Sequence, residues 1–176
     1  EAVTQCASVH QVVVATDDQR ILEAVQAFGG IAEMTSESHM NGTTRCEEVL
    51  ARHSGYDLLL NVQGDEPLLD PKHLEALIQL MKAGHPIGTA CRVLDKPEEI
   101  QDPAVVKLVK KENGRVLYFS RATIPFNRDQ REVTYYGHVG LYAFQTSIVK
   151  TITSLAPSPL EMAENLEQLR WLENDY

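Results

Sequence analysis

The sequence predicts an α/β fold: a doubly wound, mostly parallel sheet with an antiparallel hairpin insertion, in one domain over residues 1–176. Three observations point there. Short β-branched runs alternate with segments whose apolar residues recur at helical spacing. The most apolar run, residues 57–62 (DLLLNV), has the continuous character of a strand buried on both faces. Two β-rich runs, residues 104–110 and 115–120, flank a Glu-Asn-Gly turn, the signature of a hairpin.

Taken in order, residues 11–16 (QVVVAT) form the first predicted strand. Asp17 or Asp18 caps the following helix, whose Ile21, Leu22, Val25 and Phe28 share a face and which Gly29-Gly30 stops. Residues 31–34 make a second strand. Thr44, with Glu47 three residues on, has the spacing of a capping box and opens a helix with Cys46, Val49 and Leu50 inward. After the 57–62 strand, Asp70-Pro71 starts a helix with Leu74, Leu77, Ile78 and Met81 on one face, ending at Gly84. A strand over 87–93, the hairpin and a strand over 137–144 follow. Ser158, Pro159 and Glu161 cap a last helix running towards Tyr176. Its apolar stripe is Met162, Leu166 and Leu169, and Glu164, Glu167, Gln168 and Trp171 lie on the other, solvated face.

Composition limits the functions available. With 43% apolar and 23% charged residues, and only 10 Gly and 8 Pro, the chain can bury a core and lacks a disordered composition. Its net charge of −9 is the wrong sign for holding a nucleic acid. Any phosphate-bearing partner is expected to be small and metal-screened. Three widely spaced cysteines, none in a CxxC pair, argue against a disulfide framework or zinc site and fit a reducing cytoplasm. No apolar run approaches the ~20 residues of a membrane span.

In open α/β sheets, ligands bind beyond the carboxyl ends of the strands. Residues 62–67 (VQGDEP) fall there. Asp65 is the first choice for a Mg²⁺ ligand, since Mg²⁺ takes one or two carboxylates and completes its shell with water and phosphate oxygens; capping of the loop explains the same residues equally well. The loop 41–45 (NGTTR) runs into a helix start, where backbone N–H groups favour an anion and Arg45 adds a cation. By itself this also reads as a plain capped helix. Arg121 and Arg128 bracket a loop and could clamp a carboxylate in bidentate fashion, or simply be solvated. Strand alternation puts His138, Gly140, Tyr142 and Phe144 on one face, either a polar pocket wall or a buried hydrogen-bonded pair.

These segments resemble the 3-deoxy-manno-octulosonate (Kdo) cytidylyltransferase family. The likeness is carried by VVVATDD (12–18), FGG (28–30), MTS (34–36), HMNGTTR (39–45), NVQGDEP (61–67), VVK (105–107), LYFSRATIPFNRD (117–129), GHVGLYAF (137–144), SPLE (158–161) and NLEQLR (165–170), in the family's order. The resemblance implies a nucleotide-diphospho-sugar transferase-like fold. It implies an enzyme that joins CTP and Kdo into CMP-Kdo and pyrophosphate with Mg²⁺, as a cytoplasmic homodimer serving lipopolysaccharide biosynthesis. In that setting Asp65 is the metal-binding aspartate, Arg45 and Gln63 contact the nucleotide, and Arg121 and Arg128 hold the sugar acid. His138, Tyr142, Glu167 and Gln168 match positions that hydrogen-bond Kdo hydroxyls. Another sugar-acid nucleotidyltransferase, such as CMP-sialic acid synthetase, is the alternative enzyme. A non-catalytic nucleotide-binding fragment is the alternative of a different class.

The sequence departs from the family pattern in two ways. The loop usually reads Ser-Gly-Thr-Asp/Glu-Arg, against Asn-Gly-Thr-Thr-Arg here. The family also implies a preceding strand at the sheet centre with a basic triphosphate loop, and a second metal-binding aspartate beyond Tyr176. On that basis residues 1–176 alone are expected to be inactive.

Overall fold

A computed structural model of the protein describes residues 2–64 and 70–176. The chain forms two compact units, Glu1–Gly88 with Leu141–Ser154, and Thr89–Gly140 with Leu155–Tyr176.

The first unit begins with a βαβ element. Strands β1 (Val13–Thr16) and β2 (Ile31–Met34) pair in parallel, Val13 opposite Ile31 through Thr16 opposite Met34, and α1 (Gln19–Ala27) connects them. Asp18 caps α1 by accepting from the Arg20 N–H at 2.8 Å. The chain turns at Gly29, whose φ of +80° is open to glycine without strain. Phe28, expected inward, is 74% exposed, because the helix has ended by that residue and its φ/ψ is no longer helical.

Helix α2 (Gly42–Leu50) follows, then β3 (Leu58–Val62) and α3 (Pro71–Lys82). The cap of α2 is Asn41 rather than Thr44. The Asn41 side chain accepts from the Thr44 N–H at 2.9 Å, and Thr44 Oγ1 donates back to the Asn41 carbonyl. An extended asparagine outcompetes a threonine already inside the first turn. Asp70 and Pro71 open α3 as expected, and Leu74 and Met81 are fully buried with Leu77 and Ile78 beside them. Each such side chain contributes roughly 1.5–3 kcal/mol by leaving water. Glu75 of α3 ties down the chain's start by accepting from the Ser8 N–H, the Ser8 hydroxyl and the Cys6 thiol.

Strand β4 (Ile87–Leu94) leads out of the first unit, and the long β7 (Tyr135–Gln145) leads back into it. Its closing residues pair antiparallel with β3, Leu58 opposite Gln145 through Val62 opposite Leu141. Helix α5 (Thr146–Thr153) then buries Val149 and Ile152. A groove of about 1920 Å³ is lined by both β1 and β3. Among the described residues β1 pairs with β2, and β3 with β7, so each strand keeps one edge without a strand partner.

In the second unit, α4 (Pro97–Gln101) precedes the hairpin of β5 (Lys107–Lys110) and β6 (Val116–Ser120), which turns at Gly114 with φ +88°. The opening part of β7 pairs antiparallel with β5, Lys107 opposite Gly137. Leu108, Phe119, Leu166 and Leu169 form a buried cluster with Tyr118, Tyr136 and Leu172 packed against it.

The described registers are thus parallel for β1–β2 and antiparallel for β3–β7, β5–β6 and β5–β7. Among the described residues the parallel pair and the antiparallel pairs stand in separate sheets, so the expected mostly parallel order is not seen there; β7 pairs antiparallel because it enters from a loop after the hairpin instead of from a helical crossover. The last helix also differs. Ser158 and Glu161 form the expected capping box on α6 (Pro159–Glu164), but Asn165, at φ 52°, breaks it before α7 (Gln168–Glu173). That break rotates the face expected to be solvated. Gln168 and Trp171 are buried at 6% and 3% exposure, while Met162, expected in the apolar stripe, is 67% exposed.

Candidate active site

In the first unit the parallel strand ends converge on one arginine. Thr35, just past β2, donates its N–H to the Thr16 carbonyl at the end of β1. Arg45, on α2, donates from Nη1 to Thr35 Oγ1 and from Nη2 to Asp17 Oδ2, each at 2.5 Å. The guanidinium is therefore fixed at the carboxyl ends of β1 and β2, with donors to spare for an anion. The start of α2 sits tightly on β3: a Cβ at Gly42 would lie 3.2 Å from Asn61 Nδ2. Thr16, Gly42, Arg45, Asn61, Gln63 and Gly64 all line the groove. Gln63 is exposed just after β3. Asp65, the expected metal ligand, lies outside the described residues.

The segment leading into this helix is braced from behind. His39 Nε2 lies 2.5 Å from Glu48 Oε2, which also accepts the Ser36 N–H. Arg52 bonds both Glu48 and Glu33, and His53 lies 2.5 Å from Glu33. The Ser36 N–H and His39 hold the Glu48 carboxyl below its usual pKa; His53 and then Arg52 do the same for Glu33. Tyr142, also in this unit, is buried at 5% exposure and stacks on Phe144 with centroids 5.9 Å apart.

In the second unit Arg121 follows β6. Its Nε donates to the Glu164 carbonyl at 2.7 Å, Nη1 to Pro103 at 3.1 Å and Nη2 to Asn165 at 3.3 Å. The Glu164 carboxylate accepts from Ser120 Oγ at 2.6 Å and the Arg121 N–H at 2.9 Å. A guanidinium has five N–H donors, so two remain, enough for one carboxylate. Arg128 is exposed on the loop beyond, and among the described residues no partner holds its side chain. His138 is half-buried; its Nε2 lies 2.9 Å from Thr89 Oγ1, and Phe119 meets its ring edge-on at 5.2 Å. Burial lowers the imidazole pKa to about 4, so the ring is neutral at pH 7 and can share hydrogen bonds without carrying charge. Glu167 is half-buried and Gln168 buried, downstream of the Asn165 carbonyl that Arg121 takes.

Sequence reasoning misses Thr35 and Glu164, the supports of Arg45 and Arg121. Thr35 carries no spacing signal; Glu164 stands on a face expected to be solvated, and only the break at Asn165 reveals its role. Asp17, a candidate cap by its position, is instead the partner of Arg45. Among the described residues no group of three or more His, Cys, Asp or Glu is placed to hold a metal, and no helix is long and apolar enough to cross a membrane.

A sequence model of the Cytidylyltransferase family matches residues 1–176. A 3-deoxy-manno-octulosonate cytidylyltransferase of Bacteroides thetaiotaomicron is 45% identical over 93% of this chain and 70% of its own length. One from Geotalea daltonii is 42% identical over 100% of this chain and 74% of its own. The solved structure of a CMP:2-keto-3-deoxy-manno-octonic acid synthetase complexed with CTP superimposes with a TM-score of 0.93 at 40% identity, covering 99% of this chain and 72% of that one.

Proposed function

Because this chain belongs to the cytidylyltransferase family, we propose that it transfers the cytidylyl group of CTP to Kdo, giving CMP-Kdo and pyrophosphate. One observation carries the reading: the TM-score of 0.93, at 40% identity over 99% of the chain, to a synthetase of this type with CTP bound. The anomeric hydroxyl of the sugar acid attacks the α-phosphate and pyrophosphate departs. Catalysis then rests on positioning and charge neutralisation.

Arg45, fixed by Asp17 and Thr35, presents its spare N–H donors to phosphate oxygens. Gln63, exposed on the same groove, offers its amide to the nucleotide. Arg121 and Arg128 take the sugar carboxylate. Neutral His138 with Glu167 and Gln168 recognises hydroxyls, and Tyr142 shares the His138 face of β7. Asp65 would be the carboxylate ligand of a Mg²⁺ ion, with waters and phosphate oxygens completing a hard-oxygen shell. When bound, the ion neutralises charge developing on the phosphates.

Homodimerisation, a cytoplasmic location, a role in lipopolysaccharide biosynthesis and a doubly wound sheet completed by one more strand belong to the same proposal. The edges of β1 and β3 that lack a strand partner among the described residues, both on the groove, are where such a strand would add.

Steady-state kinetics of Arg121→Ala, in the protein as its gene encodes it, tests the substrate assignment. KM for Kdo should rise about tenfold or more while KM for CTP stays within about twofold. An equal or reversed effect would place Arg121 elsewhere.

A further inference from the structure

We propose that Lys107 is a positioning residue for the loop that presents Arg121 to the sugar acid, an inference that rests on the functional reading above. Lys107 stands in β5, in the second unit, and its side chain is wholly buried. A lysine there is costly, since an ammonium shut away from water loses its hydration. Its surroundings offset that cost in a specific way. Nζ donates to the carbonyl of Asp102 at 2.7 Å, of Val105 at 2.6 Å and of Arg121 at 2.6 Å. Three protons meet three acceptors, and lysine is the side chain that carries three donors on one compact atom.

The acceptors come from two segments. Asp102 and Val105 belong to the turn entering β5, and Arg121 to the chain leaving β6. Without a cation among them, three carbonyl oxygens would turn their negative ends towards one buried point. Lys107 therefore clamps the turn to the loop. The Arg121 side chain adds to the clamp, since Nη1 donates to the Pro103 carbonyl of the same turn. Thr123 adds a further tie by donating to the Ile100 carbonyl at 2.9 Å. The backbone of Arg121 is thus held through its carbonyl by Lys107 and through its N–H by Glu164.

A residue held at both its N–H and its carbonyl has a fixed Cα–Cβ direction, which fixes where its guanidinium begins. Burial lowers the Lys107 pKa, against the pull of the Asp102 and Glu164 charges and with the Arg121 cation adding to it. Lys107 itself touches no substrate. It acts by limiting where Arg121 can go, and a small error in placing a carboxylate clamp is costly to turnover.

The test uses Lys107→Gln and Lys107→Met in the protein as its gene encodes it. Kinetics are measured with CTP and Kdo varied in turn, and hydrogen exchange is followed at the Arg121 and Ala122 amides. A positioning role predicts that kcat/KM for Kdo falls about tenfold or more, chiefly through KM, while KM for CTP stays within about twofold. The two amides should exchange faster, and those of β3 should keep wild-type protection. Equal losses for both substrates, an unchanged KM for Kdo in a folded variant, or failure of both variants to fold would overturn the proposal. A wild-type protein that does not use Kdo would instead refute the functional reading.

Discussion

The His138 imidazole lies 2.9 Å from Thr89 Oγ1, and burial lowers its pKa from 6.5 to about 4. The sign of the pH effect follows. Below about pH 6.5 the unfolded chain takes up a proton that the folded chain refuses until about pH 4, so stability falls as pH drops across that interval. The loss is at most about 3.5 kcal/mol, since each tenfold difference in proton affinity is worth about 1.4 kcal/mol. His138→Gln should flatten the stability profile between those limits in urea titrations at stepped pH; an unchanged slope would mean another group sets it. Arg170 gives a second prediction at this scale. It donates to Glu161 at 2.6 and 2.5 Å and to the Leu155 carbonyl at 3.0 Å, with both charged side chains only 12–13% exposed. Arg170→Met leaves Glu161 a buried carboxylate without its cation and should cost about 3 kcal/mol or more, read as a lowered urea midpoint. Glu161 is legible in the sequence as half of a capping box with Ser158, which it is. Its pairing with Arg170 is not, because it depends on the break at Asn165 that folds α7 back.

Elements whose ends are written in local chemistry are the legible ones. Asp18 on α1, Asp70-Pro71 on α3 and Ser158-Pro159 on α6 all stand where capping preference puts them. The hairpin of β5 and β6 is equally plain, from its Asn-Gly turn. The register and direction of β7 are not, since pairing depends on partners distant in sequence. Gly137 marks one such pairing: a Cβ there would lie 2.7 Å from Leu94 Cδ2, and Leu94 is itself buried at 4% exposure. Gly137→Ala should therefore destabilise by about 1–3 kcal/mol through overpacking, measured by thermal or urea unfolding. A neutral result would show that Leu94 can swing clear. At α2 the corner is legible but its owner is not: the small-residue loop and Arg45 stand out, while the cap belongs to Asn41 and the support to Asp17 and Thr35.

For the whole molecule, the alternation of strands and helices identifies an α/β protein, and the ordered motifs identify its family. What spacing leaves undetermined is how the parts close. Strands β1 and β3 line one groove, each with an edge lacking a strand partner among the described residues. An extended β-branched peptide added in trans should raise the unfolding temperature in a dose-dependent way, because it binds the folded state alone; no change at saturating peptide would count against a strand-accepting groove. The central claim is the chemistry. Pyrophosphate release, followed with CTP and Mg²⁺ in the protein as its gene encodes it, tests it most directly. The account predicts release that depends on Kdo, does not occur with sialic acid, and is abolished by Asp65→Ala. Release that is equal with sialic acid, or none with Kdo, would contradict it.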